Sequence, residues 1–177
     1  MTNLRRAASV LTALCVAAPT VLHAQALQPA AGWFTYMPAG GGFAVLMPVS
    51  VKETAETTDD PKVGPYSTHI STSYSGPVLY LSGWIQYSTS LNIKAGLDAN
   101  RDNFTRGVNG KLTGETEITF AGHPGREFTA ETADAFFISR MCIADNDRAY
   151  MLVVRLPRGT DDTRNISRFF ASFVLNK

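Results

Sequence analysis

The sequence predicts an α+β fold, an antiparallel β-sheet packed by α-helices. Between Val51 and Leu156, several segments of about ten residues show the period-two alternation of half-buried strands, with turn residues between them. Two further segments, one in mid-chain and one near the C-terminal end, carry apolar residues at the 3.6-residue period of amphipathic helices. Composition agrees. Of 177 residues, 45% are apolar and 18% charged, which suits one packed core and excludes a disordered or collagen-like chain. No internal repeat, low-complexity segment or second composition regime divides the sequence.

The first residues have the three parts of a secretory signal. Arg5 and Arg6 make a cationic start, and Ala7–Leu22 is apolar except for Ser9, Thr12, Pro19 and Thr20. Ala24-Gln25-Ala26 then supplies small residues for cleavage, expected after Ala26, with the position after Ala24 as the alternative. The apolar run is about 16 residues, shorter than the ~20 a spanning helix needs, and Pro19 lies inside it. Cys15 is not read as a lipidation site, because Leu14 stands where bacterial lipoprotein signals have a small residue. The expected organisation is a signal peptide over 1–26, a flexible N-terminal lead-in over 27–32 and a single α+β domain over 33–177. The short, alanine-rich leader points to export, to a bacterial periplasm or the medium. Removing 26 of 177 residues leaves 151, and 16 basic against 15 acidic residues becomes 14 against 15, a net charge of −1. A nearly neutral domain gives no electrostatic case for nucleic acid or an anionic membrane surface. No later stretch is long and apolar enough to span a membrane.

Trp33–Met37 and Gly42–Met47 are short aromatic and apolar runs separated by Pro38-Ala39-Gly40-Gly41. The glycine triplet reads as a turn, since no Lys-Ser/Thr of a phosphate-binding loop follows it. Val51–Thr57 and Tyr66–Ser75 form an expected hairpin whose loop contains Asp59-Asp60-Pro61. In its second arm Tyr66, Thr68, Ile70, Thr72 and Tyr74 share one face, and Ser67, His69, Ser71 and Ser73 share the other. Pro77–Ser88 is more apolar and belongs nearer the sheet centre.

Asn92–Asn109 is the clearest helix, with Ile93, Leu97, Phe104 and Val108 on one stripe and Lys94, Asp98, Asp102 and Arg106 on a solvated face. Gly110 is expected to end it in the left-handed conformation. Lys111–Phe120 alternates Leu112, Gly114, Thr116, Ile118 and Phe120 against Thr113, Glu115, Glu117 and Thr119, a strand with one wet side. His123-Pro124-Gly125-Arg126 fits a type II turn, with Pro124 setting φ and Gly125 accepting a positive value. The chain returns through Arg126–Glu131, turns at Thr132–Asp134 and continues as Ala135–Ile143. After a turn at Asp145-Asn146-Asp147 it runs through Arg148–Leu156, with Tyr150, Leu152, Val154 and Leu156 on one face. Pro157-Arg158-Gly159 breaks that strand. Thr160 or Asp161 caps the last helix, whose Ile166, Phe169, Phe170 and Phe173 dock it on the sheet.

Candidate chemistry is sparse. Beyond the leader the thiol is Cys142 and the imidazoles are His69 and His123. Cys142 sits in a dense apolar run and reads as a small buried hydrophobe. Glu115 and Glu117 lack the burial that would separate their pKa values into an acid and a base. Asp145-Asn146-Asp147 opens like a calcium loop but lacks that motif's glycine and terminal glutamate. Gly-x-Ser-x-Gly, His-Glu-x-x-His, P-loop and Cys-x-x-Cys patterns are absent. No catalytic, cofactor-binding or metal-ligating residue is assigned, and no cofactor is expected.

Trp33…Tyr36, Gly42-Phe43-Ala44-Val45, Gly110-Lys111-Leu112, Gly122-His123-Pro124-Gly125-Arg126-Glu127 and Arg168-Phe169-Phe170-Ala171-Ser172-Phe173 form a pattern that resembles the small bacterial domains grouped with the PsbP and Mog1p fold. The resemblance spans about Trp33 to Val174. It implies an α/β/α sandwich built on an antiparallel sheet. It also implies a binding or assembly role, because that superfamily holds a photosystem extrinsic subunit, a nuclear-transport regulator that binds a small GTPase, and bacterial envelope proteins. No functional residue carries over with it. The expected function is a non-catalytic, exported module that binds a protein partner or a small ligand. The alternatives are an enzyme whose site forms only in the fold, and a weak metal-binding protein. A concave pocket favours ligand or enzyme, and an exposed apolar patch favours a partner.

Overall fold

The computed structural model describes residues 32–176. The expected signal peptide, its Ala24-Gln25-Ala26 cleavage site, Cys15 and most of the lead-in lie outside the described residues. The elements run β1 (Trp33–Tyr36), β2 (Phe43–Pro48), β3 (Lys52–Asp60), β4 (Gly64–Ser75), β5 (Val78–Tyr87), α1 (Ile93–Gly107), β6 (Lys111–Phe120), β7 (His123–Glu131), β8 (Ala135–Ala144), β9 (Arg148–Pro157), α2 (Thr163–Ala171) and β10 (Val174–Leu175). Strands β3-β4-β5-β9-β8-β7-β6 form a seven-stranded sheet in that order, and β1-β2-β10 a separate sheet of three. Every pairing is antiparallel. The class is α+β.

Alternation along the central strand β9 sorts the two faces of the large sheet. Tyr150, Leu152 and Val154 point to one core, which holds Phe43, Val45 and Met47 of β2 and Phe169, Phe170 and Phe173 from α2 and its end. Ala149, Met151 and Val153 point the other way, toward Leu97 and Phe104 of α1 and Val108 at its end. Each sheet face is therefore covered by a helix, with the small sheet added beside α2. That side is densely aromatic: Phe173 stacks on Phe120 with centroids 4.8 Å apart, and Tyr80 meets Phe169 edge-on at 5.1 Å. Burying each such ring contributes about 1.5–3 kcal/mol.

Helix α1 starts where expected, with Asn92 Oδ1 accepting the Ala95 amide at 3.0 Å. Its end differs by one residue from the expectation for Gly110. Asn109 is the left-handed residue, at φ 52°, while the Gly110 amide donates to Thr105 O at 2.9 Å and the Asn109 amide to Arg106 O at 3.0 Å. This is a Schellman closure, and asparagine tolerates the left-handed region well enough to make it. Gly110 serves close packing instead, since a Cβ there would lie 3.3 Å from Glu131 O.

The turn expected at His123-Pro124-Gly125-Arg126 is also displaced. Pro124 and Gly125 lie within β7, and the reversal is made by Ala121 and Gly122 at φ 49° and 85°. Two consecutive positive φ values match the twist of a tight hairpin, which a type II turn does not. Pro124 is tolerated because β7 pairs with β8 only from Gly125 onward. Gly125 is required for a different reason: a Cβ would lie 2.5 Å from Met141 O on β8. The same two-residue geometry recurs at Asp145 and Asn146, φ 52° and 62°. At α2 the N-cap is Asp162 rather than Thr160 or Asp161, although Asp161 Oδ1 still accepts the Thr163 amide at 3.0 Å.

Candidate functional site

Helix α1 packs on β7 and β8 and leaves β4, β5 and part of β9 uncovered on its own side of the sheet. The result is a cleft of about 620 Å³, within the ~300–1,000 Å³ range of small-molecule sites. Its floor is Tyr66 and Ile70 of β4, Ile85 and Tyr87 of β5, and Ala149 and Met151 of β9. Its wall is the Leu97–Arg106 edge of α1, and the β3–β4 turn at Asp60–Val63 closes one end. Val63, Tyr66, Ile85, Leu91, Phe104 and Met151 pack on this core yet stay partly exposed. Gly83 deepens the floor. A Cβ there would lie 2.9 Å from His69 O on the neighbouring strand, so the position carries no side chain between Ile70 and Met151.

Floor and wall are tied by one hydrogen bond. The Tyr87 hydroxyl donates to Asn100 Oδ1 at 3.1 Å, and its ring tilts against Tyr66 at 5.5 Å. Burial raises the Tyr87 pKa, which keeps the hydroxyl protonated and donating.

A charged cluster fixes the other side of α1. Arg126, on β7, is 5% exposed. Its Nη1 meets Asp98 Oδ1 of α1 at 2.6 Å and also pairs with Glu115 of β6. Arg101 Nη1 joins the same Glu115 Oε1 at 2.6 Å. Burial alone would raise Glu115, but hydrogen bonds from Arg101 and Arg126 outweigh it and hold the carboxyl below its ordinary value. Asp98 is held low chiefly by the hydrogen bond from Lys94, with Arg126 and Arg101 adding to it. The face expected to be simply solvated thus includes an anchor to a buried cation.

On the opposite face, His69 stacks flat on Trp84, centroids 3.8 Å apart and planes 7° apart. The Arg148 guanidinium lies 4.3 Å from the same indole ring. A smaller cavity of about 210 Å³ adjoins this stack. Beside it the Tyr36 hydroxyl donates to Glu53 Oε1 at 2.5 Å and bonds Ser71 Oγ at 2.8 Å. Burial, then the Glu53 bond, pushes Tyr36 up to about 12.

The sequence candidates do not assemble into a reactive centre. His69, Trp84, Tyr150 and Cys142 form one cross-strand row, so imidazole and thiol stand three strand spacings of about 4.8 Å apart. Cys142 is fully buried and unpaired, and burial pushes its thiol up to about 12. It therefore stays protonated, which removes the thiolate a nucleophile needs. His123 sits beside the β6–β7 turn, paired with Phe120. Glu115 belongs to the Arg101–Arg126 cluster, whereas Glu117 is exposed. Among the described residues, no three His, Cys, Asp or Glu side chains gather closely enough to hold a metal ion. No helix of the described residues is long and apolar enough to cross a membrane.

No protein-family model matches the chain, and no curated protein matches it. Among solved structures the chain is similar to the solution structure of cyanobacterial PsbP (CyanoP) from Synechocystis sp. PCC 6803. The TM-score is 0.49 at 9% sequence identity, over 87% of this chain and 98% of that one. The likeness concerns the fold and says nothing of activity.

Proposed function

We propose that this protein is an exported, non-catalytic binding module whose cleft beside α1 takes a small apolar ligand. The observation that carries the reading is the cleft itself. It is a concavity with an apolar floor, partly exposed Tyr66, Ile85, Phe104 and Met151, and a few polar groups along one wall. Phe34, Met37, Val49, Tyr74, Leu112, Phe136 and Val174 are also exposed apolar side chains, but the concavity of the cleft favours a small ligand over a protein partner. The buried, protonated thiol of Cys142 and its distance from His69 argue against a nucleophilic enzyme.

The neutral dye Nile red tests the cleft directly. Its fluorescence should rise and shift to the blue on binding, and the protein should melt at a higher temperature with dye present. Thr68→Trp, which fills the floor between β4 and β5, should abolish both effects while leaving a folded spectrum. Dye binding that Thr68→Trp does not weaken would refute the cleft as the site. Export is part of the same proposal, with a leader over 1–26 and a domain over 33–177. The mass of the protein recovered from the periplasm of an expressing bacterium should correspond to a chain starting at Leu27 or Gln25. Recovery of the uncut chain from the cytoplasm would contradict it.

A further inference from the structure

We propose that the ligand of this cleft is an amphiphile with a carboxylate head, and that Asn103 and Arg106 on α1 receive that head. The proposal rests on the cleft being the binding site and adds the chemical class of its occupant. It follows from which polar groups of the cleft are already satisfied. Asp60 Oδ1 accepts the amides of Lys62 and Val63 at 2.7 and 3.2 Å, so that carboxylate is engaged by its own turn. Asp102 Oδ1 is taken by Arg101 at 2.8 Å. Asn100 Oδ1 accepts from Tyr87. Asn103 Oδ1 accepts from Arg106 Nη2 at 2.5 Å.

A guanidinium can only donate, so Asn103 must turn its amide oxygen to Arg106 and its NH₂ away from it. The unspent donors along this wall are the two asparagine NH₂ groups and the remaining Arg106 N–H groups, while Asp60 and Asp102, engaged through Oδ1, each keep a second acceptor oxygen. Arg106 also has no carboxylate partner among the described residues, whereas each acid of the cleft has donors of its own. Lys62 is the other cation of the lining; it sits on the β3–β4 turn, away from the α1 wall, and its amide donates to Asp60 Oδ1. Beside the apolar floor, the cation without a carboxylate partner is Arg106, and the complement of that floor and that cation is an apolar body carrying an anionic oxygen pair. Asn103 and Arg106 are three residues apart on one helix and hydrogen-bonded to each other, which holds the guanidinium and the asparagine NH₂ side by side along the same rim. A planar carboxylate can accept from both. The head stays at the rim in water while the tail lies along Ile70, Ile85 and Met151, which avoids the cost of burying an unpaired charge.

Isothermal titration calorimetry with decanoate and decan-1-ol, which share a tail and differ in the head, separates the possibilities. The wild-type protein should bind decanoate at least about tenfold more tightly than the alcohol, with the difference shrinking as salt is raised. Arg106→Gln should bring decanoate down to the affinity of the alcohol, and Thr68→Trp should weaken both. Equal affinity for the two probes, or a preference that survives Arg106→Gln, overturns the carboxylate assignment and leaves the cleft standing. No binding of either probe overturns the assignment and the cleft reading together.

Discussion

The Arg126 cluster is where electrostatics and architecture can be separated by experiment. Arg126→Met keeps most of the side-chain volume and removes the charge. The side chain is 6% exposed and serves Asp98 and Glu115 through one nitrogen, and its Nε is buried without a partner. Breaking a fully buried ion pair costs about 3–5 kcal/mol. Three facts reduce that figure here. Asp98 and Glu115 remain 33% and 27% exposed, so water partly replaces the lost cation. Arg101 stays beside both. The unsatisfied Nε, itself a cost of about 1 kcal/mol or more, disappears with the substitution.

The net expectation for Arg126→Met is about 1 kcal/mol. Glu115→Gln reverses the situation, leaving a buried cation with one carboxylate instead of two, and should cost about 2 kcal/mol. The smaller contact loss is therefore predicted to be the larger destabilisation. Urea unfolding followed by circular dichroism reads both, as midpoint shifts at constant slope. The reasoning fails if Arg126→Met proves clearly more destabilising than Glu115→Gln, or if neither moves the midpoint. The pH dependence carries the same signature. Both carboxyls titrate below their ordinary values in the folded chain. Their stabilisation is thus full above the ordinary carboxylate range of about pH 4 and is lost as pH falls through the lowered folded values. Arg126→Met should flatten that acid-side decline.

Three further outcomes follow from the fold. Gly125→Ala should cost about 2–4 kcal/mol, because the added methyl meets the Met141 carbonyl, whereas Gly122→Ala, in open space at positive φ, should cost about 1 kcal/mol; comparative thermal melts check the order. Cys142 should resist iodoacetamide in the native protein at pH 8 and react fully in urea; native labelling at the denatured rate would contradict its burial and raised pKa. Ser139→Ala should leave stability unchanged or raise it by about 1 kcal/mol, since its hydroxyl is fully buried without a partner; a loss above about 1 kcal/mol in urea unfolding would show that the hydroxyl is bonded.

Local patterning made much of the fold legible. The alternation of Tyr150, Leu152, Val154 and Leu156, the α1 stripe of Ile93, Leu97, Phe104 and Val108, and the phenylalanines of α2 all face the cores that their periods predict. What local pattern could not supply was geometry set by a partner strand. His123-Pro124-Gly125 has turn chemistry, but Gly125 is a glycine because β8 passes too close for a Cβ, and the true turn uses Ala121, a residue without a turn signal. The short β10 exists only because β2 offers it an edge. Arg126 closes the expected turn and opens the returning strand, but nothing in sequence places it between Asp98 and Glu115.

The cleft was hidden for the same reason. Its floor combines the Tyr66–Ile70 face, which alternation did reveal, with Ile85, Met151 and the Asn100–Arg106 edge of α1. They meet only through the strand order β4-β5-β9 and the packing of α1 on β7 and β8. The paired oxygens of Asn100 and Asn103, which leave donors along the wall, had no sequence signal at all.

The most direct test of the binding account is a ¹H–¹⁵N correlation spectrum of the protein titrated with decanoate. Shift changes should concentrate on Tyr66, Thr68, Ile85, Tyr87, Asn103 and Arg106, with the Asn103 and Arg106 side-chain resonances among the largest. Shifts centred instead on the 38–41 turn and His69, or a spectrum that does not change, would contradict it.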